Sequence, residues 1–199
     1  MGTIAETATS RSPEYLAEVV RHFFALHIEC AKAFYAWSIN QCPTFAGIPY
    51  EHIIVLVNTA EYGGGGILNS YNLSMTHHRL FRPVVVHEFG HSFAGLADEY
   101  AYENEPLPFY PFDVEPWEPN ITTLVDFDSK WKKMLPKGTK IPTEPSKKKD
   151  RLGVYEGAGY SLKGVYRGAL DCRMRTNENP EFCPVCRDAI TKLIKFYTE

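Results

Sequence analysis

The stretch VVVHEFGHSFAGLADEY, residues 84–100, decides how the rest of the chain is read. Its first eleven positions are apolar or small except for His87, Glu88, His91 and Ser92. Arg82-Pro83 ahead of it and Gly95 behind it have the chemistry of a helix start and stop. The spacing therefore predicts a helix from Val84 to about Ala94. Residues four apart share a helix face, so His87 and His91 can offer two imidazoles to one metal ion, with Glu88 beside them. On a helix that only packed, these three side chains would be costly to bury. A metal ion removes that cost, and the ligand types suit zinc. Glu88 is then positioned as general base for a water whose pKa zinc lowers from about 15.7 to about 7.

The third ligand has to come from elsewhere. His22, His27, His52, His77 and His78 all precede the motif. Thermolysin-type zincins use a glutamate from a second helix downstream, and no closely following helical segment supplies one. In metzincins the helix stops at a glycine and the third ligand comes three residues later. Gly95-Leu96-Ala97-Asp98 keeps that spacing, with aspartate in place of histidine and one extra residue between His91 and the glycine. Asp98 is the choice, and Glu99 the rival, because the extra residue leaves the register open. Metzincins also need a methionine in a turn beneath the metal. Met174, in the turn-rich DCRMR, meets that requirement, whereas Met134 lies in a lysine-rich segment. Gly95 and Met174 are therefore the expected structural residues.

Outward from the helix, Pro13 to about Ser38 carries apolar residues at helical spacing. HIIVLVN (52–58) has the pattern of a strand buried on both faces. EYGGGG (61–66) turns the chain, as a glycine loop that admits substrate or as a long hairpin turn. ILNSYNLSM (67–75) reads as an edge strand, and His77-His78 as surface histidines. From Tyr100 to Pro145, prolines, aromatics and acids predict a long ordered loop with a short helix around DFDSKWKKML. PSKKKDR (145–151) is a solvated basic turn, and residues 153–175 read as glycine-punctuated loop and turn. The C-terminal stretch predicts an amphipathic helix with Ala189, Ile190, Leu193, Ile194 and Tyr197 on one face.

The 199 residues suit one domain, or one domain with an extension, and 44% hydrophobic and 23% charged residues are ordinary for a globular chain. A net charge of −3 gives no electrostatic case for nucleic acid or an anionic membrane. No apolar run approaches the roughly 20 residues of a membrane span. The N-terminus shows no basic region followed by an apolar one, so no secretion signal is visible. Cysteines 30, 42, 172, 183 and 186 leave at least one unpaired. The last three form C-x10-C-x2-C. A structural zinc there would want a fourth ligand, and no histidine follows. A disulfide from Cys172 to Cys183 or Cys186 is the expectation for an exported chain, with reduced core thiols the alternative.

Together these residues resemble the IgA-peptidase-like metallopeptidases. The segments that carry the resemblance are PYEHIIVLVNTAEYGGGGI, VVHEFGHSFAGLADEY, EPWEPNITT, the KW and IPT that follow, GVYEGAGY, KGVYRGALDCRMR and FCPVCRDAI, from about Ile48 to the C-terminus. The resemblance implies an α+β, zincin-like (metzincin-type) catalytic domain: a small sheet, an active-site helix, a long ordered loop and a C-terminal helix. It implies zinc held by His87, His91 and an acidic residue, Glu88 as general base, a protein or peptide substrate, and a secreted or periplasmic setting. Residues 1–45 are unlike the family and form a truncated or divergent helical segment ahead of a catalytic domain over 46–199. The family pattern also has proline where Gly168 follows Tyr166-Arg167. Tyr166 either stabilises the oxyanion, as a tyrosine near the methionine turn does in some metzincins, or packs.

Two classes of function follow. The leading one is a zinc endopeptidase whose extended substrate pairs with the edge strand at 67–75. The other is a truncated, non-catalytic zinc-binding protein that acts as a binding module. The intact Glu88 favours the first, and the short N-terminal half the second.

Overall fold

The computed structural model describes residues 52–103 and 109–199. The helix expected at 13–38, Cys30, Cys42 and residues 104–108 of the long loop lie outside the described residues. The architecture is α+β, with two helices and two three-stranded sheets among the described residues. These residues divide into two units between Glu88 and Phe89, so the first long helix begins in one unit and ends in the other.

In the first unit, β1 (Ile53–Val57), β2 (Gly64–Ile67) and β3 (Tyr71–Met75) form a sheet of order β1-β3-β2. β1 runs parallel to β3, and β2 antiparallel to it. Two expectations are corrected here. Among the described residues Tyr71–Met75 is the central strand, buried throughout, and β2, built from the glycine stretch expected to be only a turn, lies at one edge with β1 at the other. β1 alternates rather than burying both faces, with Ile54 and Leu56 more than half exposed. Asn72, wholly buried on β3, donates its Nδ2–H to the Val85 carbonyl at 2.9 Å. That bond ties the sheet to α1 (Phe81–Ala94). His78 Nδ1 accepts the Leu80 N–H at 3.1 Å and caps the approach to the helix, while His77 Nε2 pairs with Asn58 Oδ1 at 2.5 Å.

The second unit holds the other sheet: β4 (Ile121–Thr122), β5 (Tyr155–Ala158) and β6 (Ser161–Arg167), antiparallel in the order β4-β6-β5. The stretch read as loop and turn is thus largely a hairpin. Its glycines bend the strands without preventing their pairing, and a register shift falls between Glu156 and Ala158. The expected helix near DFDSKWKKML is two single 3-10 turns, Phe127–Ser129 and Lys132–Met134. Between them Trp131, 2% exposed, donates its indole N–H to the Gly153 carbonyl at 2.9 Å. The last helix, α2 (Pro184–Thr198), starts from Cys183 with Pro184 at its first position. Val185, Cys186, Ala189 and Ile190 pack on the core, whereas Ile194 and Tyr197 of the expected apolar face are exposed. Among the described residues no helix is long and apolar enough to cross a membrane.

Gly168 follows the end of β6. A Cβ there would stand 2.3 Å from Val185 Cγ2 and 3.0 Å from Val185 Cβ, so this fold has no room for a side chain. Gly168→Ala should force Val185 or the strand end to move and cost about 1–3 kcal/mol. A lower urea midpoint at unchanged slope is the expected readout, and an unchanged midpoint would refute the clash.

Candidate metal centre and its surroundings

α1 stops because Gly95 takes φ 60, a left-handed conformation that glycine adopts without penalty. The Gly95 N–H bonds the His91 carbonyl at 3.0 Å, an αL cap, and the Leu96 N–H reaches back to the Gly90 carbonyl at 3.1 Å. The chain then reverses into a strap without regular secondary structure, residues 96–102, bridged to Tyr160 at Ala101. In the second unit Asp98 Oδ1 comes within 3.3 Å of His91 Nε2, and His87 precedes His91 by one helical turn on α1.

The geometry around His91 bears on what sits between these groups. Nδ1 faces the Leu96 carbonyl at 2.5 Å and donates to it, which turns the Nε2 lone pair toward Asp98 Oδ1, 3.3 Å away. Two lone pairs facing at that distance repel unless a cation lies between them, either a proton or a metal ion. Tetrahedral zinc with ligand bonds of about 2.0–2.1 Å places neighbouring N and O ligands about 3.3 Å apart. The donor set and its spacing fit such an ion, and the Leu96 carbonyl fixes the imidazole tautomer that would bind it.

Asp98, 8% exposed, is oriented by residues the sequence reading passed over. The Tyr160 hydroxyl donates to Asp98 Oδ2 at 2.5 Å, and Tyr100 hydrogen-bonds the same carboxylate. Burial first, then the Asp98 charge, pushes both phenols far above the ordinary tyrosine range, so they stay protonated donors. Tyr160 reaches this place because the β5–β6 turn puts it at φ 66 after Gly159 at φ 54. Both central residues have positive φ, the type I′ pattern of a two-residue hairpin. The turn is bonded to the strap: Gly159 N–H to the Asp98 carbonyl and Tyr160 N–H to the Tyr100 carbonyl, each 2.9 Å. A non-glycine residue held in the left-handed region is strained, and here that strain aims a hydroxyl at a carboxylate. Tyr160→Phe should weaken metal binding at His91 and Asp98 by about 10–100-fold, the usual effect of losing an orienting hydrogen bond. Zinc competition with a chromophoric chelator measures it, and unaltered affinity would refute the role.

The other candidates occupy distinct places. Met174 is fully buried. A Cβ added to Gly90 would lie 2.6 Å from its Sδ, so the methionine packs directly on the second half of α1. Its carbonyl accepts the Glu99 N–H at 2.8 Å. Tyr166, on β6 opposite Thr122, packs against the larger core, and burial raises its phenol with Glu156 adding to the shift. In the first unit, the backbone of edge strand β2 lies against Glu88: a Cβ on Gly64 would stand 2.5 Å from Glu88 Oε1.

Glu99, weighed as the rival ligand, points elsewhere. It is wholly buried, and its Oε1 lies 3.1 Å from Cys186 Sγ and 3.9 Å from Cys183 Sγ. The expected bridge from Cys172 is not formed: Cys172, Cys183 and Cys186 are all unbonded thiols, with Cys172 Sγ and Cys186 Sγ 3.7 Å apart.

No curated protein sequence matches the chain. The family described as IgA Peptidase M64 matches it over residues 31–151 and 144–194, beginning upstream of Ile48 and so within the segment expected to be unlike the family. His87, Glu88, His91 and Asp98 fall within the first matched segment, and the three clustered cysteines within the second. The chain belongs to the IgA Peptidase M64 family of peptidases.

Proposed function

We propose that this chain is a zinc-dependent endopeptidase of metzincin type, with His87, His91 and Asp98 as the metal ligands and Glu88 as general base. The observation that carries the reading is the facing pair His91 Nε2 and Asp98 Oδ1, 3.3 Å apart, one helical turn after His87 in a chain of a peptidase family. Zinc bound there would acidify a water and polarise the scissile carbonyl. Glu88 takes the proton from the attacking water and passes it to the departing amine. Asp98 offsets part of the charge that two neutral imidazoles leave, and Tyr160 and Tyr100 hold its carboxylate in place. Gly95 supplies the reversal after the helix, and Met174 the floor beneath it. Tyr166 keeps both its readings, a phenol that stabilises the oxyanion or a packing residue, and its place against the core of the second unit supports the second. An extended peptide would add to the side of β2 away from β3, which pairs with no other strand among the described residues and whose glycines let a second backbone approach closely, so that the substrate runs beside Glu88. That assignment moves the substrate edge from 67–75 to Gly64–Ile67.

The test combines metal analysis with a diverse peptide library. The purified chain should cleave internal peptide bonds, lose cleavage on chelation and regain it with zinc. A folded, zinc-loaded chain that cleaves nothing would overturn the peptidase reading and return the binding-module alternative.

A further inference from the structure

We propose that Cys172, Cys183, Cys186 and Glu99 hold a second zinc ion, a closed structural site separate from the one at His91 and Asp98. The sequence reading rejected a zinc at these cysteines for want of a fourth ligand, and the fold provides one. Glu99 arrives from the strap after α1, Cys172 from the turn after β6, and Cys183 and Cys186 from the start of α2. Their four ligating atoms lie within 4.8 Å of one another, and the residues are 0–2% exposed.

The distances separate the possible occupants. A disulfide would need sulfurs about 2.05 Å apart. Zinc–sulfur bonds of about 2.3 Å at the tetrahedral angle place two thiolates about 3.8 Å apart, and a thiolate and a carboxylate oxygen about 3.5 Å apart. Cys172 Sγ and Cys186 Sγ stand at 3.7 Å, and Glu99 Oε1 lies 3.1 and 3.9 Å from the sulfurs of Cys186 and Cys183. These three distances bracket the edges of a tetrahedron around such an ion and exclude a disulfide between Cys172 and Cys186. Cys183-Pro184-Val185-Cys186 has the C-x2-C spacing common in structural zinc sites, and no edge is left open for water or substrate.

The surroundings suit the same assignment. Asn120 donates to Glu99 Oε1 at 3.0 Å, and the Cys183 N–H points at Cys172 Sγ at 3.1 Å, contacts that orient ligands from outside. Glu99 Oε2 is buried and has no hydrogen-bond partner among the described residues, a cost that proximity to a cation removes. Three thiolates and a carboxylate around zinc leave two negative charges. Arg167 and Arg173, each 6% exposed, lie within electrostatic range of Glu99 and Cys172 respectively. Four such groups buried within one cluster repel one another once ionised, and a cation between them removes that repulsion.

The site has a consequence for its neighbour. Neighbouring residues of the strap serve the two clusters: Asp98 faces His91 while Glu99 faces the cysteines. Pinning Glu99 to a metal fixes the register in which the strap presents Asp98.

Elemental analysis of the full chain, prepared with zinc, tests the proposal independently of peptide cleavage. The parent should carry two zinc ions, and His87→Ala/His91→Ala should keep one. Cobalt exchanged into that double variant should give the intense near-ultraviolet charge-transfer absorption of bound thiolates. Cys186→Ser should abolish that absorption. The double variant leaves the cysteine cluster intact, so it decides the matter even if Cys186→Ser folds poorly. One zinc in the parent and none in the double variant would overturn the second site. So would cobalt bound without thiolate absorption, or a disulfide between any two of the three cysteines in unreduced peptide maps.

Discussion

Glu88→Gln is expected to bind as much zinc as the parent chain and to hydrolyse the parent's best peptide at least 10²–10⁴-fold more slowly, the usual share of a general acid–base group. The amide matches the carboxylate in shape, so the helix and its two histidines should be undisturbed. What it loses is the ability to accept a proton. Glu88 lies against the backbone of Gly64, where an added Cβ would come within 2.5 Å of Oε1. The edge strand therefore limits where the carboxylate can go, and the isosteric substitution should stay in the same place. Steady-state kinetics beside metal analysis separates the cases. Near-parental turnover with full zinc would remove Glu88 from the mechanism, whereas loss of zinc would mean that the substitution disturbs the helix itself.

The helix was legible because its signals are local. His87 and His91 at four-residue spacing, Pro83 near the start and Gly95 at the end all act within a turn or two of where they stand in sequence. The same locality made Asp98 nameable, since a left-handed glycine sends the chain back over its own last turn. The sheet was less legible. Tyr71–Met75 lies between a parallel and an antiparallel neighbour, and nothing in a five-residue pattern reveals a partner on each side. A glycine run gives no alternation to read, so an edge strand passed for a turn, and the β5–β6 hairpin was obscured in the same way.

The cysteine cluster was hidden for a different reason. Its fourth donor is 73 residues before Cys172 in the chain (172 − 99), and a search for a histidine after the cysteines could not find a glutamate ahead of them. Tyr160 left one faint trace in the sequence, the Gly-Tyr step in GVYEGAGY, which as a hairpin turn would put a bulky residue at positive φ. Only the fold links that turn to the strap by three backbone hydrogen bonds, Gly159 to Asp98, Tyr160 to Tyr100 and Tyr102 to Tyr160.

Asp98→Ala should remove the zinc bound with His91, lowering its affinity by more than the 10–100-fold typical of outer contacts, and should abolish cleavage with it. Removing the carboxylate leaves two neutral imidazoles, a ligand set too small to close or charge-balance the site. Tyr160 and Tyr100 would also lose the acceptor they face, but both lie at a turn and a strap already tied by backbone bonds, so the fold should persist. The adjacent residue gives the contrast. Glu99 is wholly buried against Cys183 and Cys186, so Glu99→Ala should act first on the cysteine cluster and reach the His91 site only by loosening the strap. Zinc titration of the two variants, each scored for thiolate absorption after cobalt exchange, distinguishes the roles. Asp98→Ala should keep the thiolate signal and lose the other ion. The reverse pattern, with Asp98→Ala keeping both ions and Glu99→Ala losing the one at His91, would move the third ligand one residue along and overturn the assignment on which the mechanism rests.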